Sequence, residues 1–374
     1  MSKIGANSNT FEVTKGFWKR YLSVPVFDTL NDPEKSHKTS LLAGLIIALL
    51  GSLFIYLNHY GIDFRLLHTL LALLTFFLLL QYNRKVWFWA GTGIGVFWFW
   101  WIALSFEHYQ MTWAMPFVIL ALGIGYGTLF WLIAYLPEKT VSTLQTHRPN
   151  LLPAPCSLLP LMVKSILLLT ISYLHPLGFD WFKPELLLIE SYFGIEKWQF
   201  AILLFTLTLV LWKRTLLFLP LLLFAVEYRT PLAPVMPEGV KIVTTHTSVA
   251  DKWNKSLQPE QYEKLLDAID TAIQEGNRLV ILPESVFVTF LNYEPDLIEK
   301  LQQKAEKITN VTGGLYLDGR TPRNSTYIFT RDRIKVANKV VLVPFGESNP
   351  RPDFLSDWVN EIFYDGAVDY LASS

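Results

Sequence analysis

The sequence predicts a membrane domain of about seven helical spans followed by an α/β layered domain. Two observations predict this division. The 374-residue chain is 51% hydrophobic and only 17% charged, which is too apolar for an ordinary soluble protein. The charge is also uneven, because residues 239–374 hold 34 of the 64 charged side chains. We therefore expect a cytoplasmic segment at 1–40, a transmembrane helical domain at 41–229 and a soluble domain at 230–374.

The membrane domain is predicted from apolar segments that are each near the length needed to cross a bilayer. Five are clear, and two weaker ones are separated by Lys213 and Arg214. Because a Lys-Arg pair at mid-bilayer is costly, we expect the weaker two to form a hairpin. The seven segments are about 41–58, 64–82, 86–106, 111–136, 157–175, 198–212 and 214–228.

The loops between these segments predict the orientation of the chain. Lys and Arg accumulate in cytoplasmic loops. Here they fall in every second connection, at Asn83-Arg84-Lys85, at Lys139 with Arg148 and at Lys213-Arg214. A cytoplasmic N-terminus and seven crossings would place residues 230–374 in the periplasm of a Gram-negative cell, on its inner membrane.

The third segment and its outer end carry two further expectations. Gly91, Gly93 and Gly95 are spaced to allow close contact between helices. His108 and Tyr109 are expected at the outer membrane surface, as interfacial anchors or as contacts to substrate.

Three other features restrict the function. Residues 180–194 are too short and too acidic to span, and predict an amphipathic helix on the outer leaflet. The single cysteine, Cys156, cannot form an intrachain disulfide, and we interpret it as a small packing residue. Acidic and basic residues number 32 each, which provides no electrostatic argument for nucleic acid as a partner.

The soluble domain shows alternating strand and helix patterns. Proline begins each of the two predicted helices, and Gly276 ends the first. A β-α-β-α order followed by adjacent strands argues for an α/β layered sheet. The predicted strands are 240–245, 279–282, 313–317, 325–330 and 333–343, and the helices begin at Pro259 and Pro295.

Glu284 lies where such a sheet places its functional groups. Residues 279–282 form a short apolar run that is typical of a strand buried on both faces. Pro283 ends this strand and Glu284 follows at once. The carboxyl ends of strands in α/β sheets hold ligands and catalytic groups. The alternative is an acidic loop residue without a catalytic role.

Several motifs together resemble the nitrilase-like domain of the apolipoprotein N-acyltransferases. The motifs are DKW at 251–253, LPES at 282–285, GRTPRNSTYIF at 319–329, and Lys339 followed by VPFGE at 343–347. With the membrane domain, the resemblance covers nearly the whole chain. It implies an α-β-β-α layered domain of the carbon–nitrogen hydrolase superfamily.

The resemblance also implies acyl transfer by a Glu-Lys-Cys triad, with no cofactor and no metal. Matching motif positions make Glu284 the general base and Lys339 the lysine that neutralises the oxyanion. Glu347 matches a further acid that helps to set the site.

The same resemblance implies two lipid partners. One is a phospholipid acyl donor, and the other is a diacylated apolipoprotein whose N-terminal cysteine accepts the acyl chain on its α-amino group. We expect Trp253, Asn324, His108 and Tyr109 to contact these substrates.

The sequence departs from the family pattern at the nucleophile. The family's cysteine follows the VPFGE block, and no cysteine follows it here. We therefore expect a truncated product or an incomplete gene that is inactive as written, with a soluble domain lacking its C-terminal part. One alternative is another membrane-attached nitrilase relative, such as those linked to conjugal transfer. A second is a non-catalytic protein that binds lipid or lipoprotein.

Overall fold

The computed structural model describes residues 37–108, 111–147, 158–175, 180–228, 235 and 237–342. The chain divides into two compact units, within residues 1–230 and 231–374. The first unit is helical and the second contains a mixed β-sheet. Tyr109, Cys156, Glu347 and the side chain of His108 lie outside the described part.

The helices of the first unit follow the predicted apolar segments. Such segments satisfy their backbone hydrogen bonds internally, as a membrane requires. The α-helices are α1 His37–His59, α2 Arg65–Gln81, α3 Arg84–Phe99, α4 Ser105–His108, α5 Met115–His147, α6 Leu158–Ile171 and α7 Lys197–Lys213. Within the described residues, 3₁₀ helices connect or follow them at Trp100–Leu104, Thr112–Ala114, Pro184–Leu188 and Leu216–Ala225.

The expectation of about seven spans is wrong for the described residues. Three helices are long and apolar enough to cross a membrane, namely His37–His59, Arg84–Glu107 and Thr112–Thr140. Arg65–Gln81 and Leu158–Ile171 are apolar but shorter. The physical reason is that hydropathy measures an apolar segment, whereas a span requires that segment to be one continuous helix of sufficient length.

The last apolar pair illustrates this difference. The chain leaves α7 at Arg214, whose φ of 52° ends the helix, and it reverses there as the Lys-Arg pair predicted. The returning arm is the 3₁₀ helix Leu216–Ala225, with Pro220 inside it. Its ten residues cover about 20 Å, short of the ~30 Å hydrocarbon core.

Helix α3 is the centre of the membrane unit, and its glycines allow two helices to approach it. A Cβ at Gly91 would lie 2.5 Å from the carbonyl oxygen of Tyr126 on α5. A Cβ at Gly93 would lie 2.5 Å from the Cβ of Ala48 on α1. Because a Cβ does not fit at either position, the expected close helix contacts are confirmed.

The segment expected to form an amphipathic surface helix is instead packed into the membrane unit. Leu187 and Leu188 are buried in its core, and Glu185 is only 3% exposed. The Glu185 carboxylate pairs with Lys197 and accepts a hydrogen bond of 2.5 Å from the hydroxyl of Ser172. These partners explain the error, because a paired and hydrogen-bonded acid can be buried.

The second unit contains a six-stranded sheet. Its strands are β1 Val240–Ile242, β2 Leu279–Ile281, β3 Phe287–Phe290, β4 Thr309–Asp318, β5 Thr321–Thr330 and β6 Arg333–Asn338. The order is β1-β2-β4-β5-β6, and β3 also pairs with β4. The β1-β2, β2-β4 and β3-β4 pairs are parallel, whereas the β4-β5 and β5-β6 pairs are antiparallel. β3 was not predicted from the sequence.

Two long helices and one short helix accompany the sheet. They are α8 Val249–Trp253, α9 Gln258–Gln274 and α10 Pro295–Ala305. α9 and α10 bury their apolar stripes against one face of the sheet, where Tyr327 and Phe329 are also buried. The described residues therefore form one sheet with one helical layer. The full α-β-β-α arrangement stays a prediction.

The glycine contacts predict that alanine affects stability differently at two positions. Gly91→Ala should destabilise the membrane unit by about 1–3 kcal/mol, the usual cost of overpacking. Gly125→Ala is the matched control, because a Cβ there meets nothing within 4 Å. It should be neutral or stabilising, since alanine is the better helix former. Thermal unfolding in detergent micelles would measure both. Equal stability of the two variants would contradict the close approach of α3 and α5.

Candidate active site

Glu284 stands in a sharp turn between two strands that both run parallel to β4. β2 ends at Ile281, and the chain is tied to β4 once more by the Leu282 N–H, which donates to the carbonyl of Val311 at 2.8 Å. Ser285 then takes a φ of +50°, a conformation that few residues other than glycine adopt. This turn directs the chain into β3 and leaves Glu284 at the carboxyl end of β2.

The turn requires a glycine on the neighbouring strand. A Cβ at Gly313 would lie 2.2 Å from the backbone nitrogen of Ser285 and 2.8 Å from the carbonyl carbon of Glu284. No side chain fits in that space. A glycine inside a strand often marks such a close approach of backbone, so Gly313-Gly314 was a signal available in the sequence.

Two hydrogen-bond donors from distant parts of the chain meet the Glu284 carboxylate. The Asn324 side-chain amide and the Lys339 ammonium each donate to Oε1 at 2.8 Å. Asn324 is itself oriented by the hydroxyl of Ser285, which donates to its Oδ1 at 3.0 Å. Because Lys339 N–H also donates to the Asn324 carbonyl at 2.8 Å, the two donors are held together by backbone as well.

The two oxygens of this carboxylate have different environments. Both donors bond Oε1, and within the described residues no hydrogen bond reaches Oε2. The Glu284 side chain is 60% exposed and that of Lys339 is 26% exposed. An exposed ion pair contributes at most about 1 kcal/mol to stability, so this pair is not what holds the unit together.

Glu284 lies between two hollows of the surface. The first has a volume of about 660 Å³, and the second, about 410 Å³ in volume, contains Asn324 and Lys339. Among the residues that the structure describes around these two hollows, Glu284 alone lines both. The ionisable residues of the first hollow are His246, Asp251, Lys252, Glu260, Lys264 and Glu284.

The short helix α8 carries Lys252 into the first hollow. The hydroxyl of Ser248 caps this helix by accepting from the Asp251 N–H at 3.1 Å, and Gln261 donates to the Asp251 carbonyl at 2.8 Å. Partial burial lowers the pKa of Lys252, and the negative charge of Glu284 opposes that change. Trp253, at the end of the same helix, is 53% exposed and lines neither hollow.

The structure thus brings together part of the predicted site. Glu284, Lys339 and Asn324 meet, and Asn324, which was expected to contact substrate, donates to the carboxylate. Their catalytic roles stay predictions, as do those of Trp253 and of the residues outside the described part. Sequence reasoning missed Ser285 and Gly313, which shape the turn.

Residues 38–229 match the family described as the apolipoprotein N-acyltransferase integral membrane domain. A Wolinella succinogenes protein named apolipoprotein N-acyltransferase is 39% identical over 339 residues, which cover 90% of this chain and 77% of that protein.

Two further relatives carry the same name. The Campylobacter jejuni protein is 29% identical, with 88% of this chain and 72% of that protein covered. The Helicobacter pylori protein is 27% identical, with 82% and 68% covered. The match therefore extends from the membrane unit into the unit that contains Glu284. This chain belongs to the apolipoprotein N-acyltransferase family.

Proposed function

We propose that the protein transfers an acyl chain from a phospholipid to the α-amino group of a lipoprotein's N-terminal cysteine, through a thioester. Glu284 is the general base and Lys339 the cation that neutralises the oxyanion. In this sequence no cysteine follows the VPFGE block, so the nucleophilic thiol is implied by the resemblance alone. The activity and its tests therefore refer to a chain that carries that cysteine.

In the first step, one oxygen of Glu284 takes the proton of the thiol. The sulfur attacks the ester carbonyl carbon of the phospholipid, and the oxyanion that forms is stabilised by the Lys339 charge. The carbon–oxygen ester bond then breaks, and the proton held by Glu284 passes to the departing alcohol oxygen. The products are the thioester and a lysophospholipid.

In the second step, the acceptor amine attacks the thioester carbonyl carbon. Glu284 takes the proton that the nitrogen loses, and Lys339 again faces the oxyanion. The carbon–sulfur bond breaks, and the departing sulfur recovers the proton from Glu284. The products are an amide on the lipoprotein and the regenerated thiol.

The observation that carries this proposal is the asymmetric binding of the Glu284 carboxylate. Asn324 and Lys339 hold Oε1, and Oε2 has no donor among the described residues. A base needs an oriented carboxylate with one oxygen available to a proton. The exposed position of Glu284 beside a hollow supports the same role.

We further propose that the soluble unit lies in the periplasm. The basic connection Asn83-Arg84-Lys85 favours a cytoplasmic position for the start of α3. Both proposed substrates are lipids of the outer leaflet, and a periplasmic unit reaches them from the correct side.

Removing either partner of the Glu284–Lys339 pair should abolish most of the activity. Glu284→Gln keeps the shape but removes the base, and Lys339→Met keeps the stem but removes the charge. Each should lower acyl transfer by at least about a hundredfold. The double variant should be little worse than either single one, because groups that act as a unit do not contribute additively. Transfer from phospholipid to a diacylated lipopeptide by membranes of expressing cells would measure this.

Lys335→Met is the matched control for Lys339→Met. Lys335 lies in β6, four residues before Lys339, and is exposed. Its removal should leave both activity and membrane level within a few fold. If Glu284→Gln and Lys339→Met instead kept their rates and reduced only the amount of folded protein, the pair would be structural.

Asn324 should act by orienting Glu284. Asn324→Ala removes one of two donors on Oε1 and leaves the Ser285 hydroxyl without its acceptor. We expect kcat to fall by up to about a hundredfold, as for a misplaced catalytic group, while KM changes little. Asn338→Ala is the control, since Asn338 accepts from Ser325 at 2.7 Å on the adjacent strand. A raised KM with unchanged kcat would indicate substrate binding by Asn324 instead.

The orientation can be tested with reporter fusions. A phosphatase that is active only in the periplasm should be active when fused after Ser256, and inactive when fused after Lys85. A fluorescent protein that folds only in the cytoplasm should show the reverse. Cytoplasmic fluorescence from the Ser256 fusion would contradict the periplasmic location.

A further inference from the structure

We infer that Lys252 is a positioning residue of the proposed reaction, a second cation that faces the Glu284 carboxylate from the hollow opposite Lys339. The inference rests on the proposed function of Glu284 for its catalytic consequence. Its electrostatic content concerns two residues of this chain and can be tested without turnover.

The two hollows separate the two lysines. Lys339 lines the smaller hollow and bonds Oε1, whereas Lys252 lines the larger one. Glu284 is the residue they share. Lys252 is half-buried, and no hydrogen bond or ion pair within the described residues engages its ammonium group. Its charge therefore acts on Glu284 across the hollow without occupying either carboxylate oxygen.

The other charged groups around this hollow are less suited to that role. Lys264 on α9 pairs with Glu260 at 2.7 Å, and both side chains are well exposed. Asp251 on α8 accepts a hydrogen bond from Ser248 at 2.7 Å. His246, in the loop after β1, also lines the hollow, and Lys339 faces Glu284 from the end of β6. Among the described residues around this hollow, Lys252 is therefore the cation best placed to act on Glu284.

A second cation has a specific use in the proposed reaction. Lys339 alone would have to balance both the carboxylate and the oxyanion that develops beside it. Lys252 keeps a positive charge near Glu284 while the charge of Lys339 is directed to the oxyanion. A charge that acts across space also leaves Oε2 open to the proton. The consequence is a site with one bonded cation and one unbonded cation around a single base.

Activity variants test the catalytic part. Lys252→Met should lower kcat by about tenfold, the scale expected for one solvent-screened neighbouring charge, with KM changed less than about twofold. Lys252→Arg should restore most of the rate. Lys264→Met is the matched control, the same change on the rim of the same hollow, and it should leave kcat unchanged.

The pH dependence separates a charge role from a structural one. Partial burial lowers the pKa of Lys252, so its charge is lost as the pH rises through a value below the ordinary lysine range. The wild-type rate should fall over that range. In Lys252→Arg the fall should move to higher pH, because a guanidinium stays charged. In Lys252→Met the fall should be absent. If the rate of Lys252→Arg fell over the same pH range as that of the wild type, the inference would be overturned, because the fall would then come from another group.

Chemical labelling tests the electrostatic part independently of activity. The rate at which a succinimidyl ester modifies Lys252, measured by mass spectrometry across pH, reports the ionisation of its amine. Burial lowers the pKa of Lys252, and the negative charge of Glu284 opposes that change. Glu284→Gln removes this charge, so the midpoint of Lys252 labelling should move to lower pH. Glu260→Gln, which alters another acid of the same hollow, should leave it in place.

The two experiments fail in distinguishable ways. An unchanged labelling midpoint in Glu284→Gln would overturn the pairing of Lys252 with Glu284. Absence of acyl transfer in a chain that carries the nucleophilic cysteine and is otherwise wild type, with the midpoint shifted as expected, would contradict the proposed function and leave the pairing supported. Lys252→Met with full activity would overturn the positioning role.

Discussion

The Glu284 carboxylate depends on donors that only a correctly registered sheet can supply. Asn324 lies on β5 and Lys339 follows β6, and both reach Oε1 from the face opposite the helices. Tyr327 and Phe329 lie on the other face of the sheet, where they are buried under α9 and α10. A slip of one residue would turn both donors away, because side chains alternate along a strand. Burial of two aromatic rings on one face thus positions a polar site on the other.

The turn at Glu284 shows how a local conformation is stabilised by its surroundings. Ser285 has a positive φ, which costs free energy, and its hydroxyl donates to the side-chain oxygen of Asn324. Gly313 provides the space for that backbone, and Asn324 provides the acceptor for the hydroxyl. Three residues that are distant in sequence therefore determine where one carboxylate points.

The membrane unit also depends on close packing and on partners for its buried polar groups. Because the glycines on α3 have no side chain, α1 and α5 can approach this helix closely. Buried Glu185 is matched by Lys197 and Ser172. Composition alone pointed to a surface position for that acid, because it does not reveal which partners the fold will bring. The acid that sequence reasoning misjudged is therefore one whose partners, 12 and 13 positions away, come from neighbouring segments of the chain.

The sequence by itself determined the division into an apolar helical part and a charged α/β part, since hydropathy and charge are local properties of composition. It also indicated the close-packing glycines of α3, the reversal at Lys213-Arg214, and the position of Glu284 after a buried strand. Only the tertiary structure decided how many apolar segments form long continuous helices, that Glu185 is buried, and that Asn324 binds Glu284 beside Lys339. The physical reason is that helix length and side-chain pairing both depend on contacts that form only when the chain packs. At Glu284, for example, the two partners lie 40 and 55 positions away in the sequence.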